Sequence, residues 1–179
     1  MKRELEDLTI ELATGDIVNQ PDCDAIVNAA NAQLRIGGGV AGAIHRKGDP
    51  ELERETRKFA PISPGEAVIT KAPNLPNKYV IHCLGPVYGR DKPEDKLLAD
   101  CHRNALKRAD EYGINSIAFP ALSTGAFGFP VEPAANIAIN TVAKEGLLIE
   151  SLKLVRFVLW SRSDYEVHKN VLENLSVSS

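Results

Sequence analysis

The chain has 179 residues, 44% of them hydrophobic and 25% charged, with a formal net charge of −3. That length is enough for one domain with a sizeable core, so residues 1–179 are expected to form a single unit. A net negative chain lacks the clustered positive field that bulk nucleic-acid binding needs, so no direct nucleic-acid partner is expected; a small anion needs only a local backbone site.

The cysteines, Cys23, Cys83 and Cys101, are scattered with no C-x-x-C spacing, which suggests neither a zinc site nor a redox pair. An odd number in an uncrosslinked chain fits a reducing compartment. Met1 to Asp7 is too charged for a signal peptide, and no apolar run approaches the roughly 18 residues of a membrane helix. A cytoplasmic protein with no membrane partner is expected.

In chain order, Leu8 to Thr14 reads as a strand closed by Gly15-Asp16, and Ala25 to Asn28 as a short apolar strand of the kind buried on both faces of a mostly parallel sheet. Three glycines, Gly37 to Gly39, precede a helical run from Val40 to Lys47 that stops at Gly48. Asp49-Pro50 starts another helix, an acid at the cap and proline at the first position, with Leu52, Thr56 and Phe59 facing one way. Ala67 to Thr70 and Tyr79 to Leu84 read as strands. Residues 95–112 carry Leu97, Leu98, Cys101, Ala105, Ala109 and Tyr112 at helical spacing and end at Gly113. Ser116 to Leu122 is a strand, and Ser123 to Phe129 a second glycine-containing loop. Ala134, Ile137, Ala138, Thr141 and Val142 mark a helix, Leu154 to Trp160 a strand, and Ser163 to Glu166 a capping box that opens the last helix. Residues 176–179 are expected to fray. Alternation of this kind gives an α/β sandwich with helices on both faces of the sheet. Ligands then bind beyond the carboxyl ends of the strands, where the loops at Asp16, Asn28 to Gly39 and Ser123 to Phe129 should converge.

Strand, glycine loop and helix start gather backbone N–H groups that hold phosphate. Gly37 to Gly42 formally satisfies G-x-G-x-x-G, yet seven or eight residues separate it from the strand and no acid closes a strand near position 62. A dinucleotide dehydrogenase needs both features, so phosphate binding stands and hydride transfer does not. Asn31, near the glycines, offers a sugar both donor and acceptor. Asn28, closer to the strand, suits either ligand contact or bracing of the loop. Ser123, Thr124, Gly125, Ala126 and Phe127 are small enough for backbone N–H groups to approach a second phosphate, with Phe127 placed to cover a ribose. Asp16 suits a turn cap or an adenine amino group, and Trp160 a stacked base or the core. The four histidines, His45, His82, His102 and His168, show no metal-ligand spacing, and no metal or cofactor is expected.

Gly15-Asp16-Ile17, Asp24 to Asn31, Gly37 to Val40, Tyr79 to His82 with Gly85-Pro86, and Ser116 to Gly125 together resemble the macrodomain family, the ADP-ribose-binding modules also described as ADP-ribose-1''-phosphate processing domains. The resemblance runs over nearly the whole chain. It implies a three-layer α/β/α sandwich with a mixed, mainly parallel sheet. It also implies a partner, ADP-ribose or an ADP-ribosylated protein. By the same resemblance Asp16 holds the adenine amino group, Ile17 lies by the base and Trp160 stacks on it. Gly37, Gly38, Gly39 and Val40 grip the diphosphate from one side and Ser123 to Phe127 from the other. Asn31 reaches the distal ribose and is the candidate catalytic residue. Some hydrolytic members carry an aspartate after the glycine-valine sequence, where this chain has Ala41. Two functions therefore stay open: hydrolysis of ADP-ribose derivatives, and non-catalytic reading of ADP-ribose.

Overall fold

The computed structural model describes residues 1–176, so the expectation of fraying at 177–179 lies outside the described residues. Among these, seven strands and five α-helices follow one another as β1 (Lys2–Leu5), β2 (Leu8–Thr14), β3 (Ala25–Ala29), α1 (Gly39–Gly48), α2 (Glu51–Thr56), β4 (Ala67–Lys71), β5 (Tyr79–Cys83), α3 (Glu94–Glu111), β6 (Ser116–Phe119), α4 (Val131–Gly146), β7 (Leu154–Leu159) and α5 (Arg162–Glu173). A 3-10 turn, Arg57–Phe59, continues α2.

The strands form one sheet in the order β1-β2-β7-β6-β3-β5-β4. The run from β2 to β5 is parallel, and the outermost pairs, β1 with β2 and β4 with β5, are antiparallel. Strand side chains alternate between faces, and the apolar run of β3 fills both. Ile26 packs with Ile44 of α1, Leu52 of α2, Val80 and Val158. Val27 packs in the opposite cluster with Leu98 of α3, Ala135 and Val142 of α4, and Leu172 of α5. The result is an α/β/α sandwich with α1 and α2 on one face and α3, α4 and α5 on the other. Phe119 and Phe157 stack 5.7 Å apart at the centre of the second face; full burial of such a side chain contributes about 1.5–3 kcal/mol.

Helix ends follow local chemistry. α3 stops where Gly113 takes a φ of +64°, a conformation glycine adopts without Cβ strain. Its helical spacing buries Leu98, Cys101, Ala105 and Ala109 as expected, but leaves Tyr112 exposed. The Asp49 carboxylate accepts the Glu53 N–H at 3.0 Å, which caps α2 as the Asp-Pro pair suggested.

Several features differ from expectation. β1 was not expected, because Lys2 and Glu4 face solvent and only Leu5 is buried; pairing with β2 supplies its stability. β6 stops at Phe119, since Pro120 has no N–H to donate to a ladder. α5 is capped by Ser161, whose hydroxyl accepts the Asp164 N–H at 3.1 Å, while Ser163 lies inside the helix. Phe59 is partly exposed instead of joining Leu52 and Thr56 in the interior.

Candidate functional site

Parallel strands end on one edge. In sheet order the segments leaving that edge are Gly15-Asp16 after β2, Trp160 after β7, Ser123 to Phe129 after β6, Ala30 to Gly38 after β3, and Gly85-Pro86 after β5. Neighbouring strands lie roughly 4.8 Å apart, so β2 and β3 are separated by roughly 14 Å. The three loops singled out in the sequence thus share one crevice.

The loop after β3 is tied down along its length. Ala30 N–H donates to Cys83 O at 2.9 Å, Ile62 N–H to Ala32 O at 2.9 Å, and the Thr56 hydroxyl to Leu34 O at 2.8 Å. The Asn31 amide clasps Arg35, accepting its N–H at 3.1 Å and donating to its carbonyl at 2.8 Å. That places Asn31 against the glycines, for a Cβ on Gly37 would lie 3.0 Å from Asn31 Nδ2. The chain then enters α1 through Gly38 and Gly39, where an added Cβ would meet nothing within 4 Å. α1 has no side-chain cap and no acid in its first turn. Its first N–H groups are left for an anion, with the positive end of the helix dipole behind them. A Cβ on Gly42 would collide with the Gly37 carbonyl, so glycine there lets the loop lie on the helix.

The second loop is shaped by its own backbone. Ser123 takes a φ of +68°, Phe129 N–H returns to Ser123 O at 2.9 Å, and the Thr124 hydroxyl donates to Ala121 O at 2.8 Å. Gly125 and Ala126 are exposed. Phe127 does not stand free over the crevice: half-buried, it packs with Ala30, Leu34, Ile62 and Leu84 and so joins the two loops. Tyr88 N–H donates to Phe127 O at 2.9 Å, which attaches the segment after β5 as well. Beneath Thr124 lies a cavity of about 10 Å³ bordered by His102, Phe157 and His168.

At the far end, Thr14 of β2 pairs with Leu159 of β7, so Asp16 and Trp160 leave adjacent strands. Asp16 is exposed, and its Oδ1 accepts the Val18 N–H at 3.1 Å, the capping role that local sequence favoured. Trp160 is 84% exposed, which removes the core alternative for its ring. An open groove bordered by Leu12, Thr14, Arg162, Tyr165 and Glu166 starts from it. The Ile17 side chain is core, packed with Ile26, Ile44 and Val158, so only its backbone is left for the crevice.

Asn28, for which the sequence left ligand contact and bracing of the loop both open, is fully buried beneath the loop. Its Nδ2 lies 3.0 Å from Nδ1 of His82, its register partner in β5, and its Oδ1 has no partner among the described residues. His82 Nε2 in turn lies 3.0 Å from the Thr70 hydroxyl. Burial, and then the neighbouring His45, pushes the His82 pKa down to about 3, so the ring is neutral. Sequence reading passed over His82; the one available signal was a polar residue at the same parity as Val80 in an apolar strand. His45 Nδ1 lies 2.8 Å from Asp49 Oδ1 and ties α1 to α2. Among the described residues no cluster of histidine, cysteine and carboxylates is arranged to hold a metal ion, and no helix is long and apolar enough to cross a membrane.

A family model described as Macro domain matches residues 27–138. A Macro domain-containing protein of Caldanaerobacter subterraneus is 51% identical over 171 residues, covering 93% of this chain and 97% of its own. One of Methanosarcina mazei is 44% identical over 176 residues, covering 98% and 94%. Among solved structures, the Oceanobacillus iheyensis macrodomain with ADP superposes with a TM-score of 0.89 at 38% identity, covering 97% of this chain and 94% of that one. The Trypanosoma brucei macrodomain in complex with ADP-ribose superposes with a TM-score of 0.85 at 36% identity, covering 91% and 68%.

Proposed function

The chain belongs to the macrodomain family, and from that premise we propose that it binds ADP-ribose along the crevice and hydrolyses ADP-ribose derivatives. The observation that carries the binding is the uncapped start of α1 behind open glycines, facing a second loop joined to the first through Phe127. Gly37, Gly38, Gly39 and Val40 on one side, and Ser123, Thr124, Gly125 and Ala126 on the other, form a cradle for the diphosphate. Among the described residues one Asp16 carboxylate oxygen has no partner, which suits the adenine amino group, and Trp160 offers an open ring for the base. Relatives solved with ADP and with ADP-ribose support the same ligand class.

Hydrolysis is placed at the other end, beside Asn31. Its amide releases Arg35 to hold the distal ribose, and a water attacks the carboxylic or phosphoric ester joined to that sugar, giving free ADP-ribose, a proton and the released acid anion: a side-chain carboxylate, acetate or phosphate. Mono-ADP-ribosylated protein, O-acetyl-ADP-ribose and ADP-ribose-1''-phosphate are the substrate class. Orientation over a fixed diphosphate supplies most of the rate. Single-turnover release of ADP-ribose from a mono-ADP-ribosylated acidic substrate tests this: Asn31→Ala slows release at least tenfold, and an unchanged rate removes the hydrolase reading.

A second reading, a non-catalytic reader of ADP-ribose, is favoured by Ala41. This residue is buried in the first turn of α1 and brings no carboxylate to the crevice. General-base help, typically worth a factor of about 10²–10⁴, is then missing from that position. Tight ADP-ribose binding with no release above background identifies the reader.

A further inference from the structure

His82 stands in β5 where an apolar residue would serve for packing, and its neighbours fix its state. The Thr70 hydroxyl donates its single proton to Lys71 O at 2.8 Å. Toward His82 Nε2, 3.0 Å away, it is therefore an acceptor, and Nε2 carries the ring proton. Burial keeps the ring neutral. Nδ1 is then a lone pair, and it accepts from Asn28 Nδ2 at 3.0 Å. Turning the Asn28 amide over would set oxygen against that lone pair. The chain Lys71, Thr70, His82, Asn28 thus has one direction, and it ends on Asn28 Oδ1, which is enclosed and has no donor among the described residues.

We infer that His82 is a positioning residue for the distal-ribose end of the crevice: it holds Asn28 with an amide oxygen that has no donor among the described residues, as the acceptor for a hydroxyl of that ribose once the loop above it parts. Asn28 precedes Asn31 by one short segment, Ala29-Ala30, so the two amides serve one sugar from below and from the side. An enclosed acceptor without a donor is costly, and a ligand that brings an O–H to it recovers that cost. ADP, which lacks the distal ribose, has no such group. The inference rests on the ADP-ribose reading.

Calorimetry with ADP-ribose and with ADP on the full chain separates the two ideas. His82→Leu, which removes both hydrogen bonds, is expected to weaken ADP-ribose about tenfold and ADP by less than about twofold. His82→Gln, whose amide offers an acceptor to Asn28 and a donor to Thr70, is expected to restore ADP-ribose affinity to within about threefold. Side-chain ¹⁵N spectra of the wild-type chain need no variant. Expected are a protonated His82 Nε2, a bare Nδ1, and an Asn28 amide that shifts with ADP-ribose and stays unmoved with ADP. Equal losses for both ligands, no loss, the opposite tautomer, or an unmoved Asn28 amide overturns the inference alone. A wild-type chain that binds neither nucleotide overturns the binding reading with it.

Discussion

Around Asn31 and the glycine loop, polar side chains are sunk into the fold: Asn28, His82, His45 and Thr56 are fully buried and Thr70 nearly so. At the other end of the same crevice, Asp16 and Trp160 stand in solvent, Asp16 in the turn that follows β2 and Trp160 between β7 and α5. One end is built into the fold and the other is open. The built end suits a task in which a misplacement of about 1 Å costs rate; the open end suits recognition of a flat base, where stacking tolerates small displacements.

Acid should break this contrast first, and from the buried side. The folded pKa values of His82 and His102 are lowered by burial to about 3 and about 4. The unfolded chain, with histidines near about 6.5, takes up protons first as pH falls. Their contribution is whole above about pH 6.5 and is lost as pH falls toward about 4 for His102 and about 3 for His82, with about 2 kcal/mol gone for each histidine by pH 5. The pKa of His168 is lowered in the same direction by burial. Urea unfolding at pH 7.5 and 5 measures the loss; equal stability at both contradicts neutral buried histidines.

Gly42→Val attacks the built end by sterics, since its Cβ meets the Gly37 carbonyl and Arg46. The expected loss is about 1–3 kcal/mol of folding free energy, read by thermal or urea unfolding, together with weaker nucleotide binding. At the open end the pattern should reverse. Trp160→Ala is expected to leave stability within about 0.5 kcal/mol, because the ring touches little. It should weaken ADP-ribose by about 1–3 kcal/mol through lost stacking. Smallest is Asp16→Ala, with about 1 kcal/mol lost from the preference for adenine over hypoxanthine nucleotides. Equal affinity for both bases in the wild-type chain refutes that assignment.

The sequence made much of this legible for a physical reason. Short apolar runs such as Ala25 to Val27 and Ile117 to Phe119, flanked by turn residues, read as strands covered on both faces. Parallel pairing then put every following loop on one edge. Contacts between distant positions were not legible. Asn28 and His82 are 54 residues apart, and only the register of β3 with β5 shows that the two side chains pair in the interior. Phe127 likewise read as a ribose cover because the cluster it joins is assembled from four other segments. β1 stayed hidden because its charge pattern is that of an edge, where strands carry lysine and glutamate toward water.

Titration of ADP-ribose into the wild-type chain, followed by calorimetry at neutral pH, tests the central claim most directly. Saturable binding of one ADP-ribose per chain, weakened by Trp160→Ala without loss of thermal stability, is the predicted result. No heat of binding at high-micromolar ADP-ribose, from a chain that is folded by the same thermal scan, would contradict it.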